Sequence, residues 1–160
     1  MKPVVSSPKP STLAAWLLIC LAVLLLSACG GPRRVLGPPS LSVQEIETVD
    51  GRYVARVRLD SPASMAVSLE HFDWVFTLNG HLASKGRQAL NQTLPPVSGD
   101  MVRIDIGALA DLPALASLTT ESSITYVLEG ELKCSEPNVR FPLRYEGRLR
   151  ATPGKPGSFR

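Results

Sequence analysis

The side chains able to do chemistry are few. Among 160 residues there are two histidines, His71 and His81, and three cysteines, Cys20, Cys29 and Cys134. A shared metal needs both imidazole nitrogens within roughly 2 Å of the ion. If Asn79-Gly80 forms a two-residue turn, Leu78 pairs with His81 and His71 falls opposite Gln88. The two rings are then separated by roughly 23 Å of strand, at about 3.3 Å per residue. They also face opposite sides of the sheet, so no metal site is expected. Asp60, Asp73, Asp100, Asp105 and Asp111 are scattered over turns and outward strand positions, whereas a carboxylate-pair hydrolase needs two acids converging on one bond. The sequence holds no Gly-x-Ser-x-Gly elbow, His-Glu-x-x-His, phosphate loop or Gly-x-Gly-x-x-Gly, and neither Ser61 nor Ser135 has an evident base. No catalytic residue and no cofactor are expected. One thiol stands apart from this bland reading, that of Cys29.

Cys29 follows an apolar run from Leu13 to Leu26, itself preceded by Lys2 and Lys9 and followed by the small residues Ser27 and Ala28. Positive, apolar, small is the order of an export signal. The run is 14 residues long, short of the roughly 20 that span a bilayer as a helix. Leu26-Ser27-Ala28-Cys29 resembles the lipobox of bacterial lipoproteins. There, small residues let the backbone fit a membrane-embedded peptidase, and the thiol is the nucleophile that takes a diacylglyceryl group. The resemblance implies cleavage between Ala28 and Cys29 and a membrane anchor carried by Cys29. One acyl chain holds a protein only marginally, at ~0.8 kcal/mol per buried methylene, and two or more hold it stably. Gly30 stands where an aspartate would resemble an inner-membrane retention signal. By the same resemblance, the destination is the periplasmic side of the cell outer membrane.

Removal of residues 1–28 takes Cys20 away, and lipidation consumes Cys29, so Cys134 is left without a disulfide partner. A hydrophobic core must then hold the fold, and roughly 110 residues suffice for one. The formal charge is +3 from 17 basic and 14 acidic side chains, and beyond Cys29 it is 15 against 14. Nucleic acid is disfavoured as a partner, because phosphate neutralisation needs a cationic surface.

The elements that must position these groups show a period of two. Residues 29–39 form a glycine- and proline-rich tether, and 151–160 have the composition of a flexible tail. Between them, over 40–150, Tyr53, Ala55, Val57 and Leu59 alternate with polar residues after the turn Asp50-Gly51. Phe72, Trp74, Phe76 and Leu78 alternate likewise before Asn79-Gly80, with return strands expected over 81–85 and 90–94. Val102, Ile104 and Ile106 form another row, as do Ile124, Tyr126, Leu128 and Leu132, and then Val139, Phe141, Leu143 and Tyr145. Only 108–118 changes period: Leu109, Leu112, Leu115, Ala116 and Leu118 predict a short helix, either with Pro113 in its first turn and Asp111 as a candidate cap or, on an alternative start near Gly107, with Pro113 inside it as a kink. Seven to eight short strands with regular turns predict an all-β antiparallel sandwich with one short helix.

The order of the blocks SLSVQEIE, DGRYVARVRL, DSPA, FDWVFTLNGHLASKG, MVRIDI, ITYVLEGEL and FPLRYEGRL resembles the late-embryogenesis-abundant (LEA) type-2 family, built on the water-stress and hypersensitive-response (WHy) domain. The likeness runs over about 38–150. It departs at Ser61-Pro62-Ala63, where the family usually carries Asn-Pro-Asn. The resemblance implies a fibronectin-III-like sandwich and a non-enzymatic role in protecting the cell envelope from desiccation or water stress by binding. An alternative role is that of an accessory subunit recruiting a periplasmic partner through the sheet edge at 81–94. An envelope protein or a lipid headgroup is the expected partner. Arg52, Arg56 and Arg58 could join Arg144, Arg148 and Arg150 in a basic stripe for anionic headgroups, but a solvated strand face is the favoured reading. Trp74 and its aromatic neighbours read as core.

Overall fold

The computed structural model describes residues 35–160, so the expectations for Ala28, Cys29 and the segment before them lie outside the described residues. The strands are β1 (Ser40–Val49), β2 (Arg52–Ser61), β3 (Val67–Leu78), β4 (His81–Leu94), β5 (Ser98–Ala108), β6 (Ile124–Glu136), β7 (Val139–Leu149) and β8 (Ser158–Phe159). They form two four-stranded antiparallel sheets, one in the order β5-β2-β1-β8 and the other β4-β3-β6-β7. This is the expected all-β sandwich with one short helix.

The period-two rows are its inner faces. Tyr53, Ala55, Val57 and Leu59 are buried in one sheet against Phe72, Trp74, Phe76 and Leu78 in the other, the arrangement that alternation demands when one face of each sheet is desolvated. Ile104, Ile106, Leu128 and Leu132 complete the same cluster. Both turns form as expected. Asp50 and Gly51 have φ of 47° and 74°, and Asn79 and Gly80 have φ of 48° and 78°, the left-handed pair that matches the twist of a tight hairpin. Val49 therefore pairs with Arg52, and Leu78 with His81.

Four expectations change. First, 81–94 is one strand of 14 residues, because the polar middle of β4 still pairs with β3 along its whole length. Second, the irregularity at Phe76/Thr77 moves the ladder by one residue, so His71 lies opposite Ala89 and Phe72 opposite Gln88. Third, the helix over 108–118 is broken into a 3-10 turn (Leu109–Asp111) and α1 (Pro113–Ala116). Pro113 pushes the residue before it out of the helical region, and Leu112 has φ −126° and ψ 58°. Pro113 opens α1 as expected, but the capping position is Leu112 and no side chain caps it, so Asp111 is not the cap.

The fourth change is the largest. Residues 151–160 are not a loose tail. Ser158 and Phe159 add to the edge of β1 opposite Glu47 and Ile46, and the backbone of Arg160 exchanges two hydrogen bonds with Arg150. Phe159 is buried with its ring edge-on to Tyr53, centroids 5.9 Å apart. Composition alone misleads here because the two strand residues, one of them the aromatic Phe159, dock a segment otherwise rich in glycine and proline. The other boundary of the folded domain also moves outward. Residues 35–39, read as tether, are docked: the Val35 N–H donates to Ser64 Oγ at 2.8 Å, and the Val35 carbonyl accepts from the Ser64 N–H at 2.9 Å.

Candidate functional site

The two histidines do not converge. His71 is on the outer face of β3, its Nδ1 3.3 Å from Glu70 and its Nε2 3.5 Å from Asp73. His81 is exposed beside the hairpin turn. The carboxylates around His71 are already taken by cations. Lys133 Nζ is 3.0 Å from Glu70, and Arg87 Nε donates to Asp73 at 2.5 Å. This is a row of charges on a solvated sheet face, and among the described residues no group of three His, Cys, Asp or Glu side chains is placed to hold a metal ion.

The acids behave the same way. Arg87 holds Asp73 below the usual carboxylate range through its hydrogen bonds, Arg52 does so for Asp105, and Lys133 for Glu70. Asp60 accepts both bonds of Arg58, and Asp100 accepts the Met101 N–H. A general acid needs its carboxyl raised toward neutrality, and every carboxyl shift seen among the described residues goes down. Cys134 is fully buried, and burial raises its thiol. It is a core side chain, poorly placed to act as a nucleophile.

The arginines do not join in one stripe. Arg52, Arg56 and Arg58 lie on the outer face of β2, in the first sheet, and Arg144 and Arg148 on β7, in the second. The outer faces of a sandwich point apart. Arg52 pairs with Asp105, Arg56 with Glu45, and Arg144 with Glu129 and Glu146. Trp74 is 5% exposed and belongs to the core, as expected.

Two features that sequence reasoning missed stand at opposite ends. The first is Glu45, whose side chain is 3% exposed although it sits on the outer face of β1 beside Arg56. The tail covers it: Lys155 Nζ lies 2.5 Å from Oε1, Ser158 Oγ donates to the same oxygen, and Arg160 is 3.7 Å from Oε2. Hydrogen bonds from Lys155 and Ser158 outweigh desolvation and lower its carboxyl to about 2. Its one sequence signal is a slipped phase, because Leu41 and Val43 are followed by Ile46 where alternation requires residue 45. The ladder is irregular there, between Val43 and Glu45.

The second feature is the end where residues 35–39 enter. Val97 is 76% exposed with φ of 48°, a conformation that β-branched residues avoid. Its N–H donates to the Ala63 carbonyl at 2.9 Å, and Ser98 Oγ donates to Pro95 O at 2.6 Å. Val35 is hydrogen-bonded to the neighbouring Ser64, so both exposed valines are fastened to the Ser61–Ser64 stretch. A shallow cleft of about 410 Å³ lies beside it, lined by Pro38, Arg58, Asp60, Pro62, Val97 and Gly99 among others.

No protein-family model matches the chain, and no curated protein does. Solved structures do. One is an Arabidopsis thaliana protein determined in solution, similar with a TM-score of 0.55 and 16% identity over 82% of this chain and 94% of that one. Another is described as a candidate late embryogenesis abundant protein, with a TM-score of 0.53 and 12% identity over 92% of this chain and 88% of that one. At such identities the likeness is one of fold.

Proposed function

We propose that this chain is a lipid-anchored, non-enzymatic protein of the LEA type-2 kind. In this reading it is held by Cys29 on the periplasmic side of the outer membrane and protects the envelope during water loss by binding. The observation that carries the reading is the fold, shared over 92% of the chain with a candidate LEA protein. The Leu26-Ser27-Ala28-Cys29 sequence ahead of that fold supports the anchor. The salt-bridged outer faces and the downward carboxyl shifts among the described residues favour binding over turnover, since a general acid needs its carboxyl raised.

The test is genetic. A deletion strain is dried or osmotically shocked and complemented with wild type or Cys29→Ala. Survival restored by wild type and not by Cys29→Ala supports the reading. Unchanged survival on deletion contradicts the stress role.

A second reading is favoured by β4, the outermost strand of its sheet, in which only Leu94 is buried. An extended partner segment could add to such an edge. Crosslinking from 81–94 that captures one stoichiometric envelope protein supports this accessory role, and diffuse capture contradicts it.

A further inference from the structure

The strands fix the end at which the chain enters the sandwich. β1, β3, β5 and β7 start, and β2, β4 and β6 finish, at the end where Val35 docks; the pairs Ser40–Asp60, Ser61–Ser98, Val67–Leu94 and Ser68–Glu136 all lie there. The opposite end, about 33 Å away along ten residues of β1, holds the two tight hairpins, α1 and the tail.

At the near end the segments 62–66 (Pro-Ala-Ser-Met-Ala) and 95–97 (Pro-Pro-Val) contain no charged residue. Val35, Leu36, Pro62, Pro96 and Val97 are exposed on them and on the entering chain. Elsewhere the large exposed apolar side chains are Leu82 and Val49, each beside a hairpin turn at the far end, and Met101 part-way along β5. Contiguous exposed apolar surface marks a place of contact. The chain length says what that contact is. Six residue steps separate Cys29 from Val35, at most about 20 Å of extended chain, and two of the residues crossed, Arg33 and Arg34, are cationic. Anionic headgroups attract such a pair. A thiol embedded in a leaflet thus keeps this uncharged tip within reach of the headgroup layer. Desolvating these two segments there takes no charged side chain of theirs out of water, the charges at this end (Arg58, Asp60 and Glu136) being on the flanking strands, so the hydrophobic term favours contact.

We propose that the tip made by Val35, Leu36, Pro62 and the Pro95–Val97 loop rests in the membrane interface as a second contact beside the Cys29 anchor. The proposal rests on the anchor reading above. The second contact orients the sandwich, with Leu82 and the tail end directed away from the lipid.

The full chain, purified from membranes, is reconstituted into vesicles of phosphatidylethanolamine and phosphatidylglycerol. An environment-sensitive fluorophore is placed through Val97→Cys, and in a separate protein through Leu82→Cys. Both positions are exposed, and Cys134 is buried. Partition into a detergent phase reports the anchor independently. The expected result is a blue-shifted Val97 probe quenched by bromolipids at a depth of about 5–10 Å, with the Leu82 probe in water. Detergent-phase protein with both probes equally wet overturns the tip while leaving the anchor intact. Protein that stays in the aqueous phase overturns the anchor and the tip together. Shielding of Val97 that follows protein density and not bromolipid identifies a second copy as the occupant and also overturns the proposal.

Discussion

Where the chain enters the sandwich, the loops are short, uncharged and turn Val35 and Val97 to solvent. Where it leaves, the tail folds back, buries Phe159 against Tyr53 and closes over Glu45 with Lys155 and Ser158. One end leaves Val35, Leu36 and Val97 on the surface, and at the other the tail turns Phe159 inward beside a clasp of charges, with Leu82 and Val49 still exposed at the hairpin turns. The difference separates two tasks. On the proposal above, the docked tail serves stability and the tip serves contact, so substitutions at the two ends should fail in different assays.

The largest stability effect expected is at the tail. Phe159→Ala removes a buried ring from the β1 edge and should cost about 3–5 kcal/mol, read as a drop in the denaturation midpoint. Val97→Asp at the tip should leave the same midpoint within about 0.5 kcal/mol while abolishing bromolipid quenching of a nearby probe. If Val97→Asp unfolds the protein, the separation of tasks is broken.

Next comes Glu45→Gln, which removes the charge from hydrogen bonds worth about 1.5–3 kcal/mol. Its pH dependence sharpens the comparison. The carboxyl is lowered from an ordinary 4.5 to about 2 in the fold. A lowered folded value gives stability that is fully present above the unfolded value and lost as pH falls through the folded one. The gap between wild type and Glu45→Gln should therefore be constant above about pH 4.5 and close toward pH 2. Glu70, Asp73 and Asp105 are lowered too, but both proteins carry them, so they cancel in the difference. A gap that persists unchanged at pH 2 contradicts the clasp.

A smaller cost is expected for Gly157→Ala, about 1–2 kcal/mol from the left-handed backbone. Gly157 has φ of 72°, and an added Cβ would lie 2.9 Å from Thr48 Oγ1. The smallest effect belongs to Arg52→Ala. Its pair with Asp105 is half in solvent, and exposed pairs contribute little and are screened by salt. Its midpoint should match wild type in high salt.

Much of the fold was legible because burial imposes a period that side chains must obey. The rows at Tyr53–Leu59 and Phe72–Leu78 are the two inner faces, and Asp50-Gly51 and Asn79-Gly80 are the turns they imply. What was illegible lies where the period slips or a short segment docks. The irregularity at Glu45 hides an outward carboxylate that the tail later buries, and nothing near residue 45 announces Lys155, 110 residues away. The two-residue β8 is shorter than any window in which alternation can be counted. Pro113 was placed correctly in α1, but its effect on Leu112 shortens the helix to one turn. Val97 gave no signal, because valine rarely takes a left-handed conformation and composition reads Pro-Pro-Val only as a loop.

The proposed setting of the sandwich depends on one covalent bond, at Cys29. Intact mass spectrometry of the mature protein extracted from envelopes tests that bond directly. The account predicts a chain beginning at Cys29, with a diacylglyceryl thioether on its sulfur and a third acyl group on its amine. A mature chain with a free thiol at residue 29, or one cleaved elsewhere, would contradict it.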